Sequence, residues 1–365
     1  MKITLFCHSL ASDWNHGNAH FLRGVVRELQ SRGHDLDVLE PNDGWSMANL
    51  LEDPEGGPAA IEDFRLAFPT LRSRTYDPRT IDLDAELTGA DLVIVHDWIE
   101  PELAAAIGAR RRAHDDHALL FYDAHHRAAS APEVIGAFDL TGFDAVLVFG
   151  AVIRELYAER GWARRVEVWH EAADTELFRP LPEGEPEQDL VWIGNWGDNE
   201  RGAELREYLL GPAGSLQLSG SVYGVRYPPP AREAVAASGL AYGGWLANHR
   251  VPAVFARHRM TVHVPRRAYV EQLPGIPTIR VFEALACGIP LVCAPWQDRE
   301  GLFRPGQDFL VVRDGQEMRS ALSRLRQDSE ARSTLAASGL ERVRAQHTCA
   351  HRVEELLDLY EDLGR

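Results

Sequence analysis

Arg280 and Glu283 stand three residues apart inside "GIPTIRVFEALACGIPLVCAPW" (275–296), a stretch that is otherwise apolar. The "PG" and "IP" at 274–277 are loop punctuation, and the pattern then predicts a helix from near Thr278 to Cys287, stopped by Gly288. Thr278 reads as its N-cap and Ile279 as its first residue. A helix start behind a glycine loop presents unpaired N–H groups and a partial positive dipole, an anion site contributing ~0.3–1 kcal/mol per charge. That dipole disfavours a cation at Arg280 unless an anion lies between them, so its place points to a bound phosphate. Glu283, one turn on, can accept hydrogen bonds from the vicinal hydroxyls of a ribose. The same spacing also fits a simple i,i+3 ion pair worth about 0.2–0.5 kcal/mol.

Other candidates lie in the first half. "FYDAHHRAAS" places His125 and His126 at the carboxyl end of a predicted strand, where a cleft is expected. Neighbouring side chains diverge on a strand, so the pair fits a turn better than a metal site. "VHDWIEP" ends another strand, and Asp97 could orient an acceptor hydroxyl or act as general base. It could equally cap a helix beginning near Ile99. Arg110, Arg111 and Arg112 read as a solvated helix C-terminus, and Trp192, Trp196 and Tyr223 as base-stacking rings or buried aromatics. Asp35 and Asp37 fall on a predicted strand as solvent-facing alternation, so no Asp-x-Asp loop and no metal site is expected.

The elements that must position these residues follow an α/β pattern. Apolar runs at "KITLFCH", "HDLDVLEP", "DLVIVHD", "ALLFYDAHH" and "DAVLVFG" alternate with helical stretches, the first of which sets Phe21, Leu22, Val25, Val26 and Leu29 on one face. Residues 41–90 are irregular. After residue 172 the composition shifts, and Pro180, Pro182, Gly184 and Pro186 among acidic residues mark a linker. A second series runs through "DLVWIGN", "SLQLSG", "MTVHVP", "IPLVCAP" and "DFLVV", and 316–363 is helical almost throughout. The expected architecture is two doubly wound, Rossmann-like domains facing across a cleft, with a helical C-terminal segment: 1–172 on the acceptor side, linker 173–188, 189–345 on the donor side, and a helix at 346–365 packing back toward the first domain.

Composition narrows the function. The 365 residues carry 38 Lys and Arg against 55 Asp and Glu, a formal charge of -17, with Lys2 the only lysine. Nucleic acid and anionic membranes are repelled overall, so a phosphate contact must be local and a small-molecule substrate is favoured. Four cysteines without CxxC spacing fit a reducing cytoplasm, and no signal-peptide region or membrane-spanning run is expected.

"TIRVFEALACGIPLV" resembles the second-domain signature of GT-B glycosyltransferases, in the form used by the bacterial spore-maturation (CgeB-like) enzymes and, more distantly, by the large retaining family with an "EAMACGxP" segment. "GNAHFLRGVVRELQSRGHDLDVL" is similar to that group's first glycine loop and helix, "HEAADTELFRPL" to the segment entering the linker, "VWIGNWGDNERG" to a loop whose two cations grip the donor diphosphate, and "GGWLANHRVPAVFARHRMTVHVPRR" to the helix and strand before the glutamate. The resemblance covers most of residues 1–312.

It implies that Glu283 holds the donor's ribose, that the Thr278–Ile279 helix start holds its phosphates, that the backbone of Gly17 and Asn18 approaches the donor, and that His125 or His126 lies near the sugar. Two departures stand out. Gly275 occupies the place of a first glutamate, and Asn195 that of an arginine, leaving Arg201 as the cation of its loop, with Arg266, Arg267 or Arg280 to restore the missing charge. The implied activity is transfer of a sugar from a nucleotide-diphosphate sugar, the co-substrate, to an unidentified small molecule, glycan or protein, with retention, without metal or other cofactor, and through a front-face displacement. The alternatives are a nucleotide-sugar epimerase or sugar phosphorylase of the same fold, or a noncatalytic nucleotide-sugar-binding partner protein.

Overall fold

Thirteen strands, all paired in parallel, form two sheets in this computed structural model, which describes residues 1–182, 186–197 and 200–364. Gly184 of the expected linker and residues 198–199 of the "VWIGNWGDNERG" segment lie outside the described residues.

The first sheet contains β1 (Lys2–Phe6), β2 (Asp35–Pro41), β3 (Arg74–Tyr76), β4 (Leu92–His96), β5 (Ala118–Asp123), β6 (Ala145–Val148) and β7 (Val166–Val168). Their order is β3-β2-β1-β4-β5-β6-β7, so the winding reverses between β1 and β4. β4, β5 and β6 are buried along their whole length, as a sheet covered on both faces requires. The helix Ala19–Ser31 buries the five apolar residues its periodicity singles out. The helix Cys349–Asp362 packs on it, and Trp169 Nε1 donates to the Arg352 carbonyl at 2.8 Å.

The second sheet contains β8 (Gln188–Ile193), β9 (Gly220–Tyr223), β10 (Ala241–Tyr242), β11 (His258–His263), β12 (Leu291–Cys293) and β13 (Leu310–Val311), in the order β10-β9-β8-β11-β12-β13. Here the winding reverses between β8 and β11. Its core joins Leu190, Val222, Met260, Val262 and Val292 from the strands to Met318, Leu322 and Leu325 of the helix Gly315–Gln327. By contact the chain divides into one compact unit of Met1–Glu52, Gly57–Glu171 and Cys349–Arg365, and another of Asp53–Gly56 and Ala172–Thr348.

Some expectations fail locally. "SLQLSG" is not a strand: Ser215 and Leu216 close the helix Gly211–Leu216, and β9 starts only at Gly220. Residues 41–90 hold three helices, Trp45–Glu52, Pro58–Ala67 and Leu83–Leu87, besides β3. Arg111 is not solvated: it is 6% exposed and pairs with Asp115 at 2.5 Å and Asp144 at 3.1 Å.

Candidate functional sites at the two winding reversals

Ligands of open parallel sheets bind outside the carboxyl ends of the strands where the winding reverses. In the second unit that point holds Arg201. The loop leaving β8 carries Asn195, and the one leaving β11 carries Val264. Arg201 Nη2 donates to the carbonyl and the side-chain oxygen of Asn195 at 2.6 and 2.5 Å, and Nη1 to the carbonyl of Val264 at 3.0 Å. Its guanidinium also lies 5.2 Å from the Trp192 ring. Arg201 is 8% exposed, its Nε is unpartnered, and among the described residues no carboxylate pairs with it. Burial, then the charge of Arg266, lowers its pKa to about 10. Such a desolvated cation, held by neutral carbonyls, is an anion site in waiting.

Beside it stands the predicted helix, Ile279–Ala286. It ends because Gly288 adopts φ 66, a left-handed stop that a side chain would disfavour. Thr278 occupies the N-cap position with extended backbone, but its hydroxyl caps nothing. It lies instead 3.0 Å from His263 Nε2, which leaves the first amides of the helix without a side-chain cap. Burial, then Arg201 and Arg280, lowers the His263 pKa to about 3. Arg280 Nη1 pairs with Glu283 Oε2, so the i,i+3 ion pair is made. Glu283 is fully buried, and Asn248 Nδ2 donates to its Oε1 at 2.7 Å. A ribose hydroxyl reaching Oε2 would share that oxygen with Arg280 or displace it. Among the described residues Arg266 makes only a long contact, 3.4 Å, with Glu200, and Arg267 pairs with Glu204 at 2.8 Å. Gly275 has φ 105, and a side chain there would also press on Arg299, so a carboxylate at this place is excluded by the backbone itself.

In the first unit the reversal between β1 and β4 gathers a polar network. Asn18 Nδ2 donates to Tyr122 Oη at 3.2 Å and Glu171 Oε1 at 3.1 Å, and its Oδ1 lies 3.2 Å from His96 Nε2. Gly17 beside it is exposed. Asp97 is not a helix cap: the helix is Pro101–His114, with Glu100 at the N-cap. Its carboxylate lies 3.0 Å from His96 Nδ1 and 2.5 Å from Arg127 Nη2. Burial raises its pKa, but the hydrogen bond and charge of His96, with Arg127, outweigh this and hold it below the usual range. Asp123 moves the other way, pushed well up by burial and the charge of Asp97. His125 and His126 follow β5 in a turn, so their rings do not diverge but lie 4.0 Å apart, and His126 Nδ1 sits 2.6 Å from Ser130 Oγ.

Each reversal thus brings its own predicted residues together: Asn195, Arg201, Arg266, Thr278, Ile279, Arg280 and Glu283 in one unit, and Gly17, Asn18, Asp97, His125 and His126 in the other. Trp192 and Trp196, candidates for base stacking, are core residues packed with Tyr227, at 2% and 6% exposure. Sequence reasoning passed over Asn248, His263 and Arg127, and placed His96 at a strand end without giving it a role. Only His96, next to Asp97 at a strand end, left a signal.

Among the described residues no group of three or more His, Cys, Asp or Glu could hold a metal ion, and no helix is long and apolar enough to cross a membrane.

Residues 203–358 match the family described as "Glycosyl transferase-like". Fold and matched segment define the class: a two-sheet α/β protein with the GT-B architecture whose residues 203–358 are glycosyltransferase-like. Sucrose-phosphate synthase from Thermosynechococcus elongatus is similar in fold, with 18% identity, TM-score 0.67, and 100% of this chain and 99% of that one covered. So are Anabaena HepE in complex with UDP, at 13% identity, TM-score 0.68 and 99% and 100% coverage, and the T4 phage BGT in complex with UDP-glucose, at 11%, 0.60, and 100% and 99%. No curated protein sequence matches.

Proposed function

We propose that the chain transfers a sugar from a nucleotide-diphosphate sugar to an acceptor, with the donor diphosphate on the second unit. One observation carries this reading: the guanidinium of Arg201, buried at the winding reversal, has carbonyl partners only among the described residues. Glycosyl transfer builds positive charge on the anomeric carbon and negative charge on the departing diphosphate, so fixed donors at that phosphate are the main catalytic resource. Arg201, the Thr278–Ile279 amides and, once released from Glu283, Arg280 fill this role, with Arg266 adding charge at the rim. Guanidinium groups and amides then do the work a metal would do. Asn195, in an arginine's place, contributes by fixing Arg201. Glu283 takes the ribose when Arg280 turns to phosphate.

On the first unit, Gly17 and Asn18 offer backbone to the donor, and His125 or His126 serves the sugar. Asp97, held ionised at neutral pH, orients a hydroxyl rather than storing its proton. Retention through a front-face displacement, and kinship with the spore-maturation branch, rest on the resemblance in 275–296. The neighbours solved with UDP and UDP-glucose make UDP the first nucleotide to try.

The test is a thermal-shift panel of UDP, GDP, dTDP and ADP, with and without a chelator. One nucleotide raises the melting temperature, the chelator leaves the shift intact, and Arg201→Ala abolishes it. No shift with any nucleotide, or an equal shift in Arg201→Ala, defeats the reading.

A further inference from the structure

Two tryptophans flank a buried histidine at the carboxyl edge of the first sheet, and a third packs on one of them. His8 lies two residues beyond β1 and Trp98 two beyond β4, while Trp45 opens the helix that follows β2. The rings of Trp45 and Trp98 each stand 5.0 Å from His8, tilted by 33°, and 5.8 Å from one another. Trp14 meets Trp45 nearly at right angles, 6.0 Å away. Of the other indoles, Trp169, Trp192, Trp196 and Trp296 are buried in the core, and Trp162 and Trp245 are partly buried. Trp14, Trp45 and Trp98 are likewise partly buried, and what sets them apart is their ring contact with one another and with His8.

The polar atoms among these rings are incomplete. Nε2 of His8 and Nε2 of His16, whose rings are 5.0 Å apart, are buried without hydrogen-bond partners among the described residues. Burial holds the His8 pKa down at about 4 and that of His16 well below its usual value, so both are neutral near pH 7. Orphaned buried nitrogens of this kind call for a missing partner.

We propose that this cluster binds the acceptor, and that the acceptor is a neutral saccharide whose pyranose ring lies against Trp45 and Trp14 while its hydroxyls pair with His8 and His16. A pyranose has what both parts of the site lack: an apolar C–H face for indole rings and several hydroxyls for the imidazoles. A phenol would suit the indoles but bring too few hydroxyls. A phosphorylated or acidic acceptor would meet uncharged imidazoles, and the cation beside them, Arg127 at 4.2 Å from the Trp98 ring, is already paired with Asp97 at 2.5 Å. Calling the ligand an acceptor rests on the glycosyl-transfer reading; the saccharide site does not, and is tested without a donor.

The experiment is saturation-transfer NMR on the full chain with methyl glucoside, methyl galactoside, methyl mannoside, N-acetylglucosamine, maltose and cellobiose, with quercetin and glucose 6-phosphate as contrasts. A neutral saccharide binds, with saturation strongest at its ring C–H protons. Trp45→Ala weakens it at least tenfold and Trp45→Phe much less, while UDP affinity by calorimetry is unchanged in both. If Trp45→Ala fails to fold, Trp14→Ala supplies the same comparison. The proposal is overturned if no neutral saccharide binds, if only quercetin or the phosphate does, or if the alanine variant binds as tightly as wild type. Saccharide binding without UDP binding would overturn the glycosyl-transfer reading and leave the saccharide site standing.

Discussion

Arg201 Nη1 lies 3.0 Å from the carbonyl oxygen of Val264, and Nη2 lies 2.6 Å from that of Asn195, so one guanidinium spans the carboxyl ends of β11 and β8. Two effects oppose each other there. Each hydrogen bond stabilises by ~1 kcal/mol, while the desolvated cation destabilises the empty site. Arg201→Met is therefore expected to change unfolding free energy by no more than about 1 kcal/mol. It should weaken nucleoside-diphosphate binding roughly 10–100-fold, since the charge-assisted bonds are lost only in the complex. Urea unfolding and calorimetry together decide it. A large stability loss with affinity intact would make Arg201 a structural tie between two loops.

Glu283 requires a different pair of variants. Its oxygens are shared between Asn248 and Arg280, and the residue is fully buried. Glu283→Ala strands both partners and should cost about 2–4 kcal/mol, below the ~3–5 of a fully buried pair because Arg280 retains some exposure. Glu283→Gln keeps the shape and should cost less than half as much. The glutamine variant should bind nucleoside diphosphate at least tenfold more weakly and inorganic pyrophosphate no more weakly than wild type, because only the former carries a ribose and the weakened pair frees Arg280. Equal affinities for both ligands in variant and wild type would remove the ribose role.

Acid should destabilise the protein before its carboxylates titrate. His263 is lowered to about 3 and His8 to about 4, each mainly by burial, against an ordinary value of about 6.5. As pH falls below about 6.5 the unfolded chain takes up these protons and the native chain does not. Stability is then lost down to about pH 4 for His8 and pH 3 for His263, and no further below. Asp123, whose pKa is raised, works in the opposite sense, so the informative quantity is a difference. Urea midpoints between pH 7.5 and 5 should fall in wild type and fall less in His263→Gln. Identical slopes would contradict the assignment of a neutral, buried His263.

The frame was legible wherever burial imposed a period. The helix Ala19–Ser31 and the strands β1, β4, β5, β8 and β11 could be placed because their apolar residues recur at 3.6 or run unbroken. The alternation of Leu216 and Leu218 imitated a strand, although Leu216 ends a helix and Leu218 is a buried loop residue. The edge strands β3, β7 and β10 have two or three residues each, too few to show any pattern. The site was legible as residue types but not as partnerships. Nothing local says that Arg127 reaches back thirty residues to Asp97, or that Asn248 reaches Glu283 across thirty-five. His8 and Trp14 share the connection after β1, while Trp45 and Trp98 follow β2 and β4, and only the strand order brings the three connections together.

The loop that carries Trp14 toward Gly17 is held from two sides, and its clamp can be tested alone. From the helix Ala19–Ser31, Arg23, at 1% exposure, donates to the Leu10 carbonyl at 2.7 Å, the Ala11 carbonyl at 2.9 Å and Asp13 at 2.8 Å. Phe64 and Phe68 lie against its guanidinium at 4.8 and 5.2 Å. From β2, Glu40 accepts the amides of Leu10 and Ala11 at 2.7 and 3.3 Å and the Ser9 hydroxyl at 2.8 Å. An ammonium cannot reproduce the three-way fork of a buried guanidinium, so Arg23→Lys should behave as a disruptive change, costing about 2–4 kcal/mol. Local opening of the loop should then precede global unfolding, seen as faster hydrogen exchange at the Leu10 and Ala11 amides with the β4 and β5 amides still protected. UDP binding, assigned to the second unit, should survive while sugar transfer slows. If Arg23→Lys exchanges these amides at the wild-type rate and unfolds within about 0.5 kcal/mol of it, Glu40 alone fixes the loop and Arg23 is dispensable to it.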